Sequence, residues 1–540
     1  MKRLLVAVGL CGAAILALLP PRQAQEGINL WQLAQENAQV LRFSTLFTAQ
    51  NVRDHLSTEE GLAQAVQWCK DTAVTHVYIE VFRDGYWAQQ QALENARDRF
   101  RREGLVVSGC VTTTGMEKRS TGWNIVSCYT DPRARETLKK AFRYAASLFD
   151  EIMIDDFLFT DCSCQDCVQA RGQQSWADYR RALMLAVSRE DILAPAREAN
   201  PKVKIIIKYP QWYDDFHNRG YDVDAETKAF DKIWVGTETR DYNDPRWGGT
   251  VQYEAYFIMR WLGQIGGEKC GGGWFDPYGT TENTYVEQAR QTVLAGAREA
   301  LLFCYGSLLG ETGPANVAKF RTEVPAYFKL APIAQAQKLR GVHTCKPPNS
   351  DAGPERRMFD FVGMLGLPLM PSGQVDADVQ AAFFSVHALA DPAFPQKLSQ
   401  IIARGTPVLL TSNLVQRVGM SFDASPTNVH ILKVEGDPKS LLAMTADQLN
   451  PLRDALLAPS QITFHAPSKV ALYLFGGDYV VIENFNDEAV RAQFGMPGVA
   501  TSGVTLTLPV GAEVGYERNR NLATISLPPR SLALITMFWE

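Results

Sequence analysis

Between about residue 38 and residue 330 the chain alternates short, β-rich apolar runs with amphipathic stretches, eight times over. The runs are Leu41–Thr48, His76–Phe82, Leu105–Thr112, Glu151–Phe157, Val203–Tyr209, Lys232–Thr237, Gly272–Asp276 and Ala300–Tyr305. Helical periodicity fills the spaces between them, as in Glu60–Thr72, Arg133–Leu148, Trp176–Ala199 and Thr284–Arg298. Eight β/α units repeating every 30 to 50 residues or so predict a (β/α)8 TIM barrel. A doubly wound sheet is the runner-up, but it seldom needs eight units without a Gly-rich phosphate loop, and none of the required form is present.

The chain has 540 residues, more than one ordinary core holds, so further domains are expected. Residues 1–24 read as a signal peptide: Lys2 and Arg3 precede the apolar run Leu4–Leu19, which Pro20 and Pro21 break. That predicts a periplasmic or secreted protein with no membrane span after cleavage. The barrel is assigned to residues 25–332. Residues 333–450 show a second αβ pattern, with strands at Ala381–Ser385 and Thr406–Thr411 around the helix Pro395–Arg404, and read as a Rossmann-like domain. Residues 451–540 hold short alternating runs, Val470–Phe475, Tyr479–Asn484, Val504–Leu508, Ala523–Leu527 and Ser531–Met537, the pattern of an antiparallel β-sandwich. A formal net charge of -5 without a Lys/Arg-rich run argues against nucleic acid. The 11 Trp suit a protein that stacks rings on sugars.

The segment Ile152–Cys167, IMIDDFLFTDCSCQDC, carries the most chemistry. An apolar strand ends in Asp155 and Asp156, and the thiols Cys162, Cys164 and Cys167 follow at metal-ligand spacing. Nine cysteines beyond residue 24 is an odd number in a large chain, which argues against a disulfide scaffold. Cys69, Cys110 and Cys304 sit in apolar contexts and read as core thiols. A surface loop with free thiols, or with Cys167 paired to a distant Cys, is the alternative. A structural Zn2+ needs a fourth ligand, and Cys128 is the best candidate. It precedes the helix that leads into the acid-bearing strand and so lies near the same barrel end.

These stretches resemble beta-galactosidases of glycoside hydrolase family 42. SCYTDPRARETLKKAF (with Cys128) and CSCQDCVQARGQQSWADYRRAL (with Cys162, Cys164 and Cys167) match that family's zinc site after its fourth barrel strand. AAFFSVHALADPAFPQKLSQIIARGTPVLLTS is similar to its Rossmann-like trimerisation domain. The resemblance covers most of the chain in domain order and roughly residues 128–185 in motif. It implies a distant glycosidase relative acting on a carbohydrate, with a structural zinc held by four thiolates and a homo-oligomer, a trimer by resemblance. One departure bears on mechanism. The family ends its fourth strand in Asn-Glu, where Glu is the acid/base, and this chain has Asp155-Asp156. The family's clan places a Glu nucleophile on the seventh strand, and here GGGWFDPYG offers Asp276.

In a TIM barrel the reacting groups sit at strand C-termini. The acids there are Glu80, Asp155, Asp156, Glu238 and Asp276. Glycoside hydrolysis needs two carboxyls, one protonated and one ionised. Adjacent strand residues point to opposite faces, so Asp155 and Asp156 cannot both aim inward unless the strand has already ended. Asp156 is the expected catalytic carboxylate and Asp155 its orienting neighbour. Glu238, in IWVGTETRD, stands first as its partner, as in barrel glycosidases of the alpha-galactosidase type, which pair strands four and six. Asp276 stands second. Expected substrate contacts are Glu80, Asp155, Lys208, Tyr209, Trp212, Arg240, Trp274 and Tyr305, with Trp234 and Tyr278 as further stacking groups. His76, at a strand start, reads as structural, and His217 as a candidate substrate contact. Two alternatives to a glycoside hydrolase remain: a carbohydrate-binding barrel without catalysis, and a metal-dependent hydrolase built on Asp155–Asp156 and Asp214–Asp215.

Overall fold

The computed structural model describes residues 29–540 apart from 245, 247–250, 420–425, 498, 510, 518–520 and 540. The expected signal peptide lies outside the described residues.

Eight parallel strands form a closed barrel. They are β1 (Arg42–Phe47), β2 (Val74–Arg83), β3 (Val106–Val111), β4 (Glu151–Ile154), β5 (Lys204–Tyr209), β6 (Lys232–Gly236), β7 (Cys270–Phe275) and β8 (Glu299–Leu302). Each pairs with the next, and β8 returns to β1 with Arg42 opposite Glu299 and Thr45 opposite Leu302. The predicted runs are these strands with moved ends. The fourth stops at Ile154 because the Phe157 N–H turns back to the Asp155 carbonyl at 2.7 Å. The eighth stops at Leu302, and Tyr305 opens a short helix, Tyr305–Leu309.

Alternation sends one side chain per strand into the interior. Leu46, Tyr78, Cys110, Met153, Ile206, Trp234, Trp274 and Leu301 make one buried layer with Cys304 above it. Two indoles fit this layer because the neighbouring positions are glycine. A Cβ on Gly272 would stand 2.4 Å from the Glu299 carbonyl oxygen and 3.1 Å from Trp234. One on Gly236 would stand 2.8 Å from Gln211 N and 3.0 Å from Trp274. Gly272 of CGGGWF therefore makes room for Trp234, and Gly236 for Trp274.

The outer helices follow the predicted periodicity, with one exception. Helix Pro132–Leu148, capped by Asp131, buries one face that includes Leu138, Phe142 and Ala145 and exposes Arg133, Glu136, Lys140 and Arg143 on the other. Helix Glu282–Leu294 is buried on nearly every face. The C-terminal sheets cover its outer side, so its polar residues are paired: Arg290 with Glu323 and the Arg530 carbonyl, and Gln291 with Glu483.

After helix Gly313–Ala336 comes a five-stranded parallel sheet in the order Leu369–Ser372, Val342–Cys345, Ala382–Phe384, Val408–Thr411, Val429–Leu432. Two antiparallel sheets of five and four strands follow, sharing a core that includes Leu472, Ile482, Phe494, Ile525 and Ala533. The architecture is the TIM barrel, Rossmann-like α/β unit and β-sandwich expected from the sequence. Among the described residues no helix is long and apolar enough to cross a membrane.

Gly272→Ala is expected to cost about 1–3 kcal/mol, because the obstructing atom is backbone and cannot rotate away. Chemical denaturation against Gly263→Ala, where nothing lies within 4 Å of the added Cβ, checks it. Equal midpoints for the two variants would contradict the packing argument.

Candidate active site

Two residues beyond the apolar layer, the same alternation carries Glu80, Thr112, Asp155 and Lys208 to the C-terminal end of the barrel. All four are buried and bonded to one another. Lys208 Nζ donates to Asp155 Oδ1 at 2.7 Å and stands 3.8 Å from the centre of the Trp274 ring. Arg83 pairs with Asp155 from the other side and with Glu80 Oε2 at 2.8 Å. Thr112 donates to Glu80 and lies 3.2 Å from Asp155 Oδ2, and the Ala49 N–H donates to Glu80 at 2.8 Å. Burial works against an Asp155 anion, but Lys208 and Arg83 outweigh it and hold the carboxyl far below its ordinary range. Burial dominates at Glu80 and raises its proton affinity.

Above this layer lies a cavity of about 1040 Å³, lined by Asp156, Glu238 and Asp276 from the ends of β4, β6 and β7. Because β4 has ended, Asp156 reaches the cavity although Asp155 points into the barrel. Its carboxyl is pushed up to about 7, first by burial and then by the adjacent Asp155 charge. Arg240 grips Asp276 with two bonds, Nε to Oδ1 at 3.0 Å and Nη2 to Oδ2 at 2.7 Å. The Tyr278 N–H adds a bond to Oδ1 at 3.2 Å. Glu238 Oε2 accepts from Trp274 Nε1 at 3.2 Å and lies 3.4 Å from Arg240 Nη2. Burial raises the Glu238 proton affinity well above the usual range; Arg240 opposes this, while the Asp276 and Asp156 charges add to it. Arg240 adopts φ +55° and is fixed by Gln288, which accepts its N–H at 3.1 Å and donates to the Asp276 carbonyl at 3.0 Å.

Of the expected substrate contacts, Trp212, Arg240 and Trp274 line the cavity, as does Tyr278. Six of the expected contacts lie elsewhere. Glu80, Asp155 and Lys208 form the floor beneath the cavity, because they are in phase with the interior layer and neutralise one another. Tyr209 is out of phase with Lys208 and packs outside the barrel against Phe216 and Tyr221, with ring centres 5.7 and 5.4 Å away. Tyr305 turns away with its helix into Phe47, His55 and Trp68. Trp234, from the wider set of stacking candidates, belongs to the interior layer. His76 is structural, between Ser108 and Glu299 at 2.9 Å each, and His217 is buried without lining the cavity.

The sequence reading missed Arg83, Trp123, Phe157, Phe159, Phe303 and Arg356, all of which line the cavity. Phe157 and Phe159 stand in the IDDFLF stretch already singled out, and Trp123 packs over both, at 5.6 and 6.1 Å. The metal-hydrolase alternative loses its ligands. Asp155 is spent on two cations, and Asp214 is tied to His387 Nε2 at 2.9 Å and the Arg357 N–H at 2.7 Å.

The four cysteines meet as expected. The Cys128, Cys162, Cys164 and Cys167 sulfurs lie within 4.8 Å of one another. Cys128 is 3.9 Å from Cys164 and 3.6 Å from Cys167, and Cys164 is 3.6 Å from Cys167. These spacings exclude S–S bonds. They fit the edges of a thiolate tetrahedron, which are about 3.8 Å for metal–sulfur bonds near 2.3 Å. Thr130 contacts Cys167 at 3.0 Å and Lys118 Nζ contacts Cys164 at 3.2 Å, partners suited to sulfur carrying negative charge.

Residues 25–352 match the family described as probable glycosyl hydrolase, catalytic domain. The chain belongs to this family. An uncharacterized protein of Saccharolobus solfataricus is 29% identical over 368 aligned positions, and the match covers 59% of this chain and 58% of that protein's length. Among solved structures, Gan42B, a GH42 beta-galactosidase of G. stearothermophilus, shares the fold with a TM-score of 0.59. The match covers 93% of this chain and 98% of that one at 11% identity. The likeness to a GH42 protein foreseen from the cysteine motif is thus present in the whole architecture.

Lys208→Met leaves Asp155 facing Arg83 alone in the barrel. Removing one partner of a buried pair typically costs about 3–5 kcal/mol. Urea denaturation checks it, and a loss below about 1 kcal/mol would contradict the ion-pair floor.

Proposed function

We propose that the chain hydrolyses a glycosidic bond, with Asp156 as proton donor and Asp276 as its ionised partner. The observation that carries this reading is the contrast between the two carboxyls at one cavity. Asp156 is pushed up to about 7 beside a fixed anion, whereas Asp276 is gripped at both oxygens by a guanidinium. General acid catalysis requires the first state, and a nucleophile or base requires the second. Glu238, the first choice from sequence, has its proton affinity raised by burial and by the neighbouring Asp276 and Asp156, which favours Asp276 as the anion. It bridges Trp274 and Arg240 and so positions Asp276.

In this scheme the Asp156 proton passes to the glycosidic oxygen as the C–O bond breaks. Asp276 faces the positive charge that develops on the sugar ring. Trp212 offers an apolar face to a sugar ring, and Trp274 closes the cavity from below. The cysteine tetrahedron takes a structural Zn2+, whose four thiolates leave no open position for a water. The ion's part is to join the Cys128 loop to the Cys162–Cys167 loop. Asp161, beside those thiols, accepts from the Trp123 N–H at 2.8 Å and from Ser120 Oγ at 2.5 Å, so the same clamp holds the aromatic wall of the cavity. Export through residues 1–24 and homo-oligomer assembly through the parallel-sheet unit belong to the same proposal.

Asp156→Asn is expected to lose about 10²–10⁴-fold in kcat/KM on oligosaccharides. It should lose far less on dinitrophenyl glycosides, whose leaving group needs no proton. Equal losses on both would assign Asp156 another role. In the wild type, activity falls as pH rises through about 7, where Asp156 loses its proton. Because that carboxyl is raised from about 3.9 on folding, its stabilising contribution is full below about pH 4 and is lost as pH rises through about 7. Asp155→Asn removes a charge that raises Asp156, so the alkaline limb should move to lower pH; an unmoved limb would contradict the assignment.

Metal analysis is expected to find about one zinc per chain. Cys128→Ser or chelation should lower the melting temperature and red-shift Trp emission as the Trp123 wall loosens. Full stability without metal would remove the clamp from the account.

A further inference from the structure

The cavity is lined by five guanidinium groups, Arg83, Arg219, Arg240, Arg246 and Arg356, against four carboxyls, Asp156, Asp215, Glu238 and Asp276. Four of the arginines are committed. Arg83 pairs with Asp155, Arg219 with Asp215, Arg240 with Asp276 and Arg246 with Asp244. Arg356 differs from them. It is exposed, and among the described residues no carboxylate lies within 4.0 Å of it.

Arg356 does not belong to the barrel. It comes from the loop after Val342–Cys345 of the parallel sheet, and that loop is fastened on both sides of it. Glu355 is fully buried, accepting from the Val386 N–H at 2.9 Å and from Asn413 Nδ2 at 3.0 Å. Arg357 adopts φ +58° and gives its N–H to Asp214, in the loop after β5, at 2.7 Å. Asp214 is held in turn by His387 of the same parallel-sheet unit. The residue between two such anchors has little backbone freedom. A cation whose backbone is anchored beside a cavity, and which meets no carboxylate among the described residues, is available to an anion that arrives from outside.

We propose that the substrate is an acidic glycan, a sugar bearing a carboxylate or sulfate group, and that Arg356 receives this group. The proposal rests on the glycosidase reading of the same cavity. The raised proton affinities of Asp156 and Glu238 support it, since they leave the lining more positive near neutral pH. Arg219 and Arg246 also line the cavity, and each carries donors beyond its pair with Asp215 or Asp244. The parallel-sheet unit then sets specificity for a site whose acids all come from the barrel.

The test compares 4-nitrophenyl hexosides, hexuronides and 6-sulfohexosides, together with neutral and acidic oligosaccharides, on the full chain. Wild type should prefer an acidic set, and hexuronide or sulfohexoside preference identifies the anion. Arg356→Gln should raise KM for that set about 10- to 100-fold, the usual weight of a hydrogen bond to a charged group, and collapse the acidic-over-neutral ratio. Arg356→Lys should restore part of it, and the wild-type KM should rise with salt. An equal rate on neutral sugars, or a preference unchanged in Arg356→Gln, overturns the proposal. If no glycoside is cleaved, the glycosidase reading fails by itself. Calorimetric binding of acidic and neutral oligosaccharides to Asp156→Asn, with and without Arg356→Gln, then decides the role of Arg356 by the same preference.

Discussion

Asp155 lies between Lys208 and Arg83 at the top of the barrel interior, and the site above depends on that arrangement. Charges this deep are costly unless each meets an opposite charge at close range. Here each of them does, and Thr112 and the Ala49 N–H supply further hydrogen bonds to the acids. The layer closes the apolar interior and leaves a permanent anion directly before Asp156 in the chain. Two adjacent carboxyls are thus pushed in opposite directions. One is held far below the ordinary carboxyl range by two cations, and the other is pushed up to about 7 by burial and by its neighbour. Environments that push two carboxyls apart in this way give one acid and one anion at the same pH.

The rest of the site extends from that floor. Trp274 covers Lys208 with its face and holds Glu238 with its N–H, so the indole that fills the barrel also connects β7 to the loop after β6. Gln288 reaches from a buried helix to fix both Arg240 and the backbone of Asp276. Asp161, beside the thiol cluster, ties down the loop that carries Trp123, which packs on Phe157 and Phe159. The parallel-sheet unit adds Arg356 from a position far along the chain. The chemistry is built on short strand ends, while the cavity walls are brought in by clamped loops.

The barrel was legible because alternation of apolar strands and amphipathic helices is a direct consequence of burying a parallel sheet. The thiol cluster was legible because three cysteines within six residues, at metal-ligand spacing, must lie close together in any fold. Residue roles were harder to read. Apolar residues resume at Phe157–Phe159 directly after the two aspartates, which hid the end of β4 and with it the divergence of Asp155 from Asp156. Tyr209 could have been rejected by counting from Lys208, since adjacent strand residues face opposite ways. Glu80 and Lys208 were placed at the right end of the barrel but one layer too high, because a sequence shows which charges share a rim and not which of them cancel. Arg356 carries no local signal at all; only the docking of its loop on Asp214 brings it to the cavity.

The central claim is that Asp156 holds a proton near neutral pH while Asp155 does not. Difference infrared spectroscopy of the wild type against Asp156→Asn, followed from pH 4 to pH 9, reports the protonated carboxyl of that residue directly. The account predicts a carboxylic C=O band that is present at pH 5, absent in the variant, and titrates near pH 7. A band already lost by about pH 4, the ordinary range for Asp, would contradict it.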